Sequence, residues 1–323
     1  MIFLTFLAFG MAASLTFLLS KRAWLLATPN ERSLHFQATP QTGGLAILIA
    51  LVITNWLMII LYGTVQGWAW IASGAGFIAG ISLLDDALEI APIWRLIVQF
   101  LAAVFVISIG NIYIDFIPVI IQIFFVVWMV NLYNFMDGMD GFAGGMAIFG
   151  FGTLAILSID QPLLMGLNAL IAASCAGFLV FNFPPAKIFM GDTGATVLGF
   201  LAATLILLGG KLQLFPFWLG LLAFSPFIVD STVVLFKRLI KKEKIWQAHR
   251  THYYQRLAQL KGWGHKKTVF WEYILMTACS VSALLMSVMP FSFQMLFLIL
   301  WSFFYIALIW YLEKYLLMCA KSI

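Results

Sequence analysis

Two aspartates side by side, Asp85 and Asp86, end an apolar run in the segment SLLDDALEIAPIWR, and Arg95 follows where the next apolar run begins. Adjacent carboxylates repel, so the pair suits a divalent cation, a proton or a basic partner. Two acids leaving a membrane span without a partner are costly. In NLYNFMDGMDGFAGG a polar residue recurs at every third position: Asn131, Asn134, Asp137 and Asp140. On a continuous helix these drift slowly around one face. Gly138 and Gly141 disfavour a regular helix, so the polar face is expected to unwind into a loop. Amide and carboxylate oxygens on such a loop can accommodate Mg²⁺ and a nucleotide close to the backbone.

A third segment, FNFPPAKIFMGDTGATVLGF, stops one apolar run at Pro184-Pro185, offers the cation of Lys187, and leads through Asp192 and Thr193 into the next run. Asp192 and Thr193 fit helix caps, and capping and metal binding can coexist. A fourth, KRLIKKEKIWQAHRTHYYQRLAQLKGWGHKK, is basic and bunches His249, Arg250 and His252. Basic residues beside a span bind anionic lipid or enforce topology. The His-Arg-x-His cluster fits better as donors to a pyrophosphate, the arginine bidentately. The loop TPNERSLHFQATPQTGG is turn-rich; Asn30, Arg32, Ser33 and His35 either contact substrate or belong to a plain connection. Asp230 follows Pro226 inside an apolar run. A kink there turns it toward the same cleft; otherwise it is a buried, hydrogen-bonded acid.

The elements that must carry these residues follow from composition. The 323-residue chain is 63% hydrophobic and 10% charged, with a net charge of +5. A soluble domain carries about a quarter charged residues, and a membrane span needs about 20 apolar ones. The expected fold is all-α: one polytopic transmembrane bundle, residues 1–323, with no soluble module. Eleven spans are read at about 1–20, 43–62, 68–84, 93–110, 113–133, 142–159, 162–181, 194–210, 213–236, 269–288 and 291–316. The divisions at Asn111 and at Met289-Pro290 are the weakest, so ten spans is the alternative count. The apolar start lacks a charged n-region, which favours a retained first helix over a signal peptide.

Alternating the connections puts Lys21, Arg22, Arg32, Arg95, Lys187, the stretch Lys237 to Lys267, Lys314 and Lys321 on one side and only Lys211 on the other. Positive residues mark the cytoplasmic side, so the N-terminus is expected outside and the C-terminus in the cytoplasm. The site then lies on cytoplasmic loops at about 21–42, 84–93, 134–142, 182–194 and 237–268. Asp85, Asp86, Glu89, Asp137, Asp140, Asp192 and Asp230 share that side, whereas Asp115 and Asp160 lie opposite. A secondary transporter usually keeps its ionisable residues near the bilayer midplane. A one-sided rim suits chemistry between a soluble charged substrate and a lipid head group. A transporter of a lipid-linked sugar or nucleotide sugar is the rival reading, and a non-catalytic scaffold a third. Cys175, Cys279 and Cys319 have neither metal-ligand nor disulfide spacing. No phosphate-binding G-x-x-x-x-G-K-[ST] loop, Rossmann unit, zinc motif or nucleic-acid module is present.

Taken in order, LDDALE, NLYNFMDGMDG, PAKIFMGDTG and HRTH resemble the polyprenyl-phosphate N-acetylhexosamine-1-phosphate transferases. That family includes the enzymes that start bacterial O-antigen chains and the phospho-MurNAc-pentapeptide transferase. The resemblance runs from about Pro29 to Tyr254, and HRTHYYQRL looks most like the O-antigen-initiating subgroup. It implies transfer of sugar 1-phosphate from a UDP-N-acetylhexosamine to undecaprenyl phosphate, releasing UMP, at the cytoplasmic face of a bacterial inner membrane. It also implies dependence on Mg²⁺, for which Mn²⁺ can substitute. Asp85, Asp86, Asp137 and Asp140 match the family's catalytic acids, Asp85 toward the acceptor phosphate and the last two toward the nucleotide. Asp192 matches the magnesium ligand, with Asn134 contributing. Asn131, Asn134, Lys187, Arg95, His249, Arg250 and His252 are the expected substrate contacts. Glu89, Thr28 and Gln41-Thr42 depart from the family pattern, the last two in the first loop, whose part in sugar recognition they put in question. A homodimer is compatible with helix faces that pack equally on lipid or on a copy of themselves.

Overall fold

A computed structural model describes residues 1–22, 25–27, 38–88, 90–243, 250–260 and 262–321. Thirteen helices account for most of the described chain. They are α1 (Ile2–Ser20), α2 (Gly43–Tyr62), α3 (Trp68–Leu88), α4 (Pro92–Val104), α5 (Val119–Phe135), α6 (Phe142–Leu157), α7 (Pro162–Asn182), α8 (Gly191–Lys211), α9 (Phe217–Ala223), α10 (Ser225–Ile240), α11 (Tyr253–Gln259), α12 (Gly264–Ser287) and α13 (Phe291–Lys321). A π-helical turn, Phe105–Ile109, continues α4. The one ladder described pairs Leu26–Ala27 with Thr39–Pro40, antiparallel. The protein is an all-α, polytopic helical bundle.

Eight of these helices, α4 taken with its π-turn, are long and apolar enough to cross a membrane. The bent pair α9 and α10 makes a ninth if it is one span. α5 and α6, at 17 and 16 residues, are apolar but shorter. At 1.5 Å per residue they reach about 25 Å, just under the hydrocarbon thickness. The segment expected as one span over 213–236 is broken: α9 and α10 meet at 80°. Pro226 sits in the first turn of α10, where its missing N–H costs nothing, so it opens the second helix rather than kinking one helix.

The axis of the bundle is α8. Apolar around its whole circumference, it is almost wholly buried among α5, α3, α2, α9 and α6. Outward faces carry large apolar side chains such as Phe3, Trp56, Ile60, Phe77 and Phe303. α1 packs on α7 and α2. α8 also sets polarity: Asp192 stands in its first turn and Lys211 in its last. The 21 residues of α8 hold these two charges about 30 Å apart.

Candidate active site

The first turn of α8 meets the last turn of α3. The hydroxyls of Ser82 and Thr196 are hydrogen-bonded at 2.8 Å. One turn nearer the helix ends, Thr193 Oγ1 donates to Asp86 Oδ2 at 2.7 Å, and the Thr193 N–H reaches the same oxygen at 3.4 Å. Capping by Asp192 and Thr193 was the alternative to a metal role; the helix begins at Gly191, with Met190 at the capping position and no side-chain cap. Both residues lie inside the first turn and their side chains face across to α3 and α4. Thr193 is thereby a site residue, for which the sequence offered no role but that of a cap.

Arg95 closes this corner. Pro92 starts α4, and Arg95 follows within its first turn. Its Nη1 donates to Asp192 Oδ2 at 2.9 Å and to Asp85 Oδ2. Asp85 also accepts the Ile90 N–H at 2.8 Å, which ties the chain as it leaves α3. Asp85, Asp86, Arg95 and Asp192 are thus brought together from three helices. Glu89 lies outside the described residues.

The opposite wall is the turn after α5. Helix α5 runs to Phe135, and residues Met136 to Gly141 are non-helical, as the two glycines predicted. Gly141 takes φ +74°, and a Cβ on Gly138 would stand 2.3 Å from Tyr254 Oη. Each position therefore needs glycine, one for conformation and one for space. Asn134, on the last turn of α5, stands beside Asp192. Asp137 lines a polar cleft of about 130 Å³ with Gln41, Asn182, Gly191 and Asp192. Burial, with the carboxylates of Asp192, Asp86 and Asp140 added, pushes the Asp137 carboxyl well above the usual carboxylate range. Asn182 secures the same turn, accepting the Gly141 N–H and donating to the Ile188 carbonyl, both at 2.9 Å.

Other expected contacts are placed differently. Asp140 is buried, accepts the Ala186 N–H at 3.0 Å and faces His265 Nδ1 at 3.2 Å. It joins three segments, and His265 is a partner the sequence reading left inside the basic run. The Asn131 amide donates to Gln99 at 2.6 Å and to the Val127 carbonyl at 2.8 Å, linking α5 to α4 rather than turning to the acids. Lys187 is exposed on the turn before α8. His252 is buried against Asp230, 3.1 Å from Nδ1 to Oδ1, and Arg250 is half-buried beside it in sequence. Asp230 is therefore the buried, hydrogen-bonded acid of the two alternatives. His249 lies outside the described residues, as do Asn30, Arg32, Ser33 and His35 of the first loop.

Among the described residues no three His, Cys, Asp or Glu side chains form a closed metal cage. Magnesium does not require one: it keeps several waters and binds through one or two carboxylates plus substrate phosphates. Asp192 with Asn134 supplies such an open oxygen set, and the neighbouring acids outnumber Arg95. The donor set fits the ion.

A family model described as glycosyl transferase family 4 matches residues 68–210, which include the acids from Asp85 to Asp192. The chain is 31% identical over 276 residues to the probable undecaprenyl-phosphate N-acetylglucosaminyl 1-phosphate transferase of Bacillus subtilis (strain 168), covering 80% of this chain and 76% of the relative. It is 27% identical over 308 residues to the decaprenyl-phosphate N-acetylglucosaminephosphotransferase of Mycobacterium leprae, covering 81% and 77%. Over a shorter stretch of 160 residues it is 36% identical to the phospho-N-acetylmuramoyl-pentapeptide-transferase of Staphylococcus haemolyticus, 46% of this chain and 47% of the relative. Motifs, helical architecture and relatives agree, and the chain belongs to the polyprenyl-phosphate hexosamine-1-phosphate transferase family.

Proposed function

We propose that this protein transfers N-acetylhexosamine 1-phosphate from a UDP-sugar to undecaprenyl phosphate, giving the lipid diphosphate sugar and UMP. The product starts a lipid-linked cell-surface polysaccharide of the O-antigen type. The observation that carries the reading is the corner where Arg95 joins Asp85 to Asp192, with Asp86 and Asp137 beside it. Paired acids, an arginine and a polar cleft at a helix end are what a lipid phosphate and a soluble diphosphate need in common.

A phosphate monoester has a second pKa near 6, so at neutral pH the acceptor is mostly a dianion already. No strong base is needed, and Asp85 takes the remaining proton from the monoanionic fraction. The difficulty is bringing two anions together. Arg95 offsets the acceptor's charge, and Arg250 with His249 offsets the donor's diphosphate. Asp192 and Asn134 would hold Mg²⁺, which supplies Lewis-acid charge to the diphosphate when bound. An acceptor phosphate oxygen attacks the sugar-bearing phosphorus in line. The new P–O bond forms as the bond to the bridging oxygen of UMP breaks, and UMP leaves with that electron pair. The sugar C1–O bond is untouched, so anomeric configuration is retained.

The reading includes eleven crossings, with α5, α6 and the bent pair counted, the N-terminus outside and the C-terminus cytoplasmic. The gathering of lysine and arginine at the end of α8 that carries Asp192 supports that orientation in a bacterial inner membrane. Purified protein is to be given undecaprenyl phosphate, Mg²⁺ and a panel of UDP-N-acetylhexosamines, with UMP release followed. Release that needs lipid and metal and is lost in Asp192→Asn is expected. Folded protein that releases no UMP with any donor would leave transport as the stronger reading.

A further inference from the structure

The acid on α10 has no part in the reaction described above, yet it holds the start of α11 within the basic loop. Asp230 is 9% exposed. Its Oδ1 accepts the Tyr253 N–H at 3.2 Å and faces His252 Nδ1 at 3.1 Å. Its Oδ2 accepts the Tyr254 N–H, also at 3.2 Å. One carboxylate therefore satisfies two of the orphan amides that open α11 and fixes the ring of the preceding residue. That ring lies stacked near Phe135 and Tyr254, with centroids at 6.5 and 5.9 Å.

The same turn reaches the opposite wall. Tyr254 Oη donates to the Phe135 carbonyl at 3.1 Å, where α5 ends, and fills the space above Gly138. Tyr253 anchors the far side of α11, donating from its hydroxyl to Glu313 of α13 at 2.8 Å. A continuous path thus runs from Asp230 through α11 and Tyr254 to the turn that carries Asp137. The sequence places no mark on it, because Asp230 lies on α10 and His252, 22 residues further along, just before α11.

We propose that Asp230 is a positioning residue that sets the His252 ring and, through Tyr254, the separation between the basic loop and the Asp137 turn. This rests on the transferase reading, in which the basic loop meets the donor's diphosphate and the Asp137 turn its nucleotide. An asparagine at 230 keeps the size but turns one acceptor atom into a donor, so at least one of the three contacts is lost. Tyr254→Phe removes only the Oη bond and leaves the start of α11 intact.

The test compares wild type, Asp230→Asn, Asp230→Glu, Tyr254→Phe and His252→Ala, full-length in detergent, by kinetics, melting and amide hydrogen exchange. Asp230→Asn is expected to lower kcat/KM for the UDP-sugar at least about tenfold while KM for undecaprenyl phosphate stays within about twofold. Exchange should rise both at 252–254 and at 135–138; Tyr254→Phe should raise it at 135–138 alone. Glu at 230 should recover part of the rate. In the His252→Ala background, Asp230→Asn should cost less than about threefold, because residues acting as a unit are not additive. Three results overturn the proposal: exchange unchanged at 135–138, additive effects in the cycle, or donor and acceptor kinetics falling together in step with melting temperature. Wild type inactive with every donor refutes the transferase reading instead, and the exchange pattern still decides whether Asp230 couples the two segments.

Discussion

Thr193→Val is the substitution that tests the corner most directly. The side chain is 2% exposed, and valine replaces its hydroxyl by a methyl of the same shape. Both residues are β-branched with similar helix propensity, so α8 keeps its first turn. What disappears is the 2.7 Å hydrogen bond to Asp86 Oδ2, leaving only the long 3.4 Å contact from the backbone N–H. A hydrogen bond to a charged group contributes about 1.5–3 kcal/mol. If Asp86 acts only when held in this orientation, the whole amount appears in the barrier, and at about 1.4 kcal/mol per decade the rate falls roughly 10- to 150-fold. The assay is UMP release at saturating undecaprenyl phosphate, with Mg²⁺ titrated for each variant. Thr193→Ser retains the hydroxyl and is expected to stay within a few-fold of wild type. Folded Thr193→Val with a wild-type rate and metal dependence would refute the argument, as would a serine variant as damaged as the valine one.

Arg95→Ala leaves Asp85 and Asp192 without their shared guanidinium, and KM for undecaprenyl phosphate is expected to rise at least about tenfold; Arg95→Lys should recover little, since one ammonium bridges two carboxylates poorly. Asn131→Ala breaks the link to Gln99 and is expected to cost about 1 kcal/mol of stability, seen as a lower melting temperature, with KM for the donor unchanged; a donor KM raised without loss of stability would make Asn131 a substrate contact after all. Gly138→Ala drives a Cβ into Tyr254 Oη and is expected to lower activity severely, with partial recovery in the double variant with Tyr254→Phe, measured as UMP release.

The reactive residues were legible because their signals are local. Asp85 and Asp86 are adjacent, Asp137 and Asp140 are each followed by a glycine, and the helical segments follow from apolar length alone. The partners were not legible. Asp86 meets Thr193 across 107 residues of chain, and nothing in GDTG separates a cap from a cross-helix donor. Asn131 and Asn134 looked alike at a spacing of three, yet packing turns one toward Gln99 and the other toward Asp192. Which of two helical neighbours faces a cleft is decided by the helices around it, not by spacing. Pro226 signalled a bend, but its fixed φ suits a helix start, and the chain breaks at Phe224, just before α10.

The division of labour at the end of α8 follows from what charges can and cannot do in a bundle. Its frame is held by neutral contacts. Ser82 meets Thr196, the Gly43 and Gly44 N–H groups bond to the carbonyls of Phe189 and Met190 at 2.9 and 2.7 Å, and the Phe189 N–H bonds to the Pro40 carbonyl at 2.7 Å. Such bonds do not weaken with salt, and with them the frame at the end of α8 does not depend on Asp192. A carboxylate given a permanent counter-charge of its own would have that charge compete with substrate for it. Here Asp86 is oriented by a hydroxyl and an amide, and the single guanidinium of Arg95 is shared by two acids. Orientation without neutralisation leaves the corner with an excess of negative charge, and that excess is the condition under which a divalent cation and its diphosphate would be drawn in together.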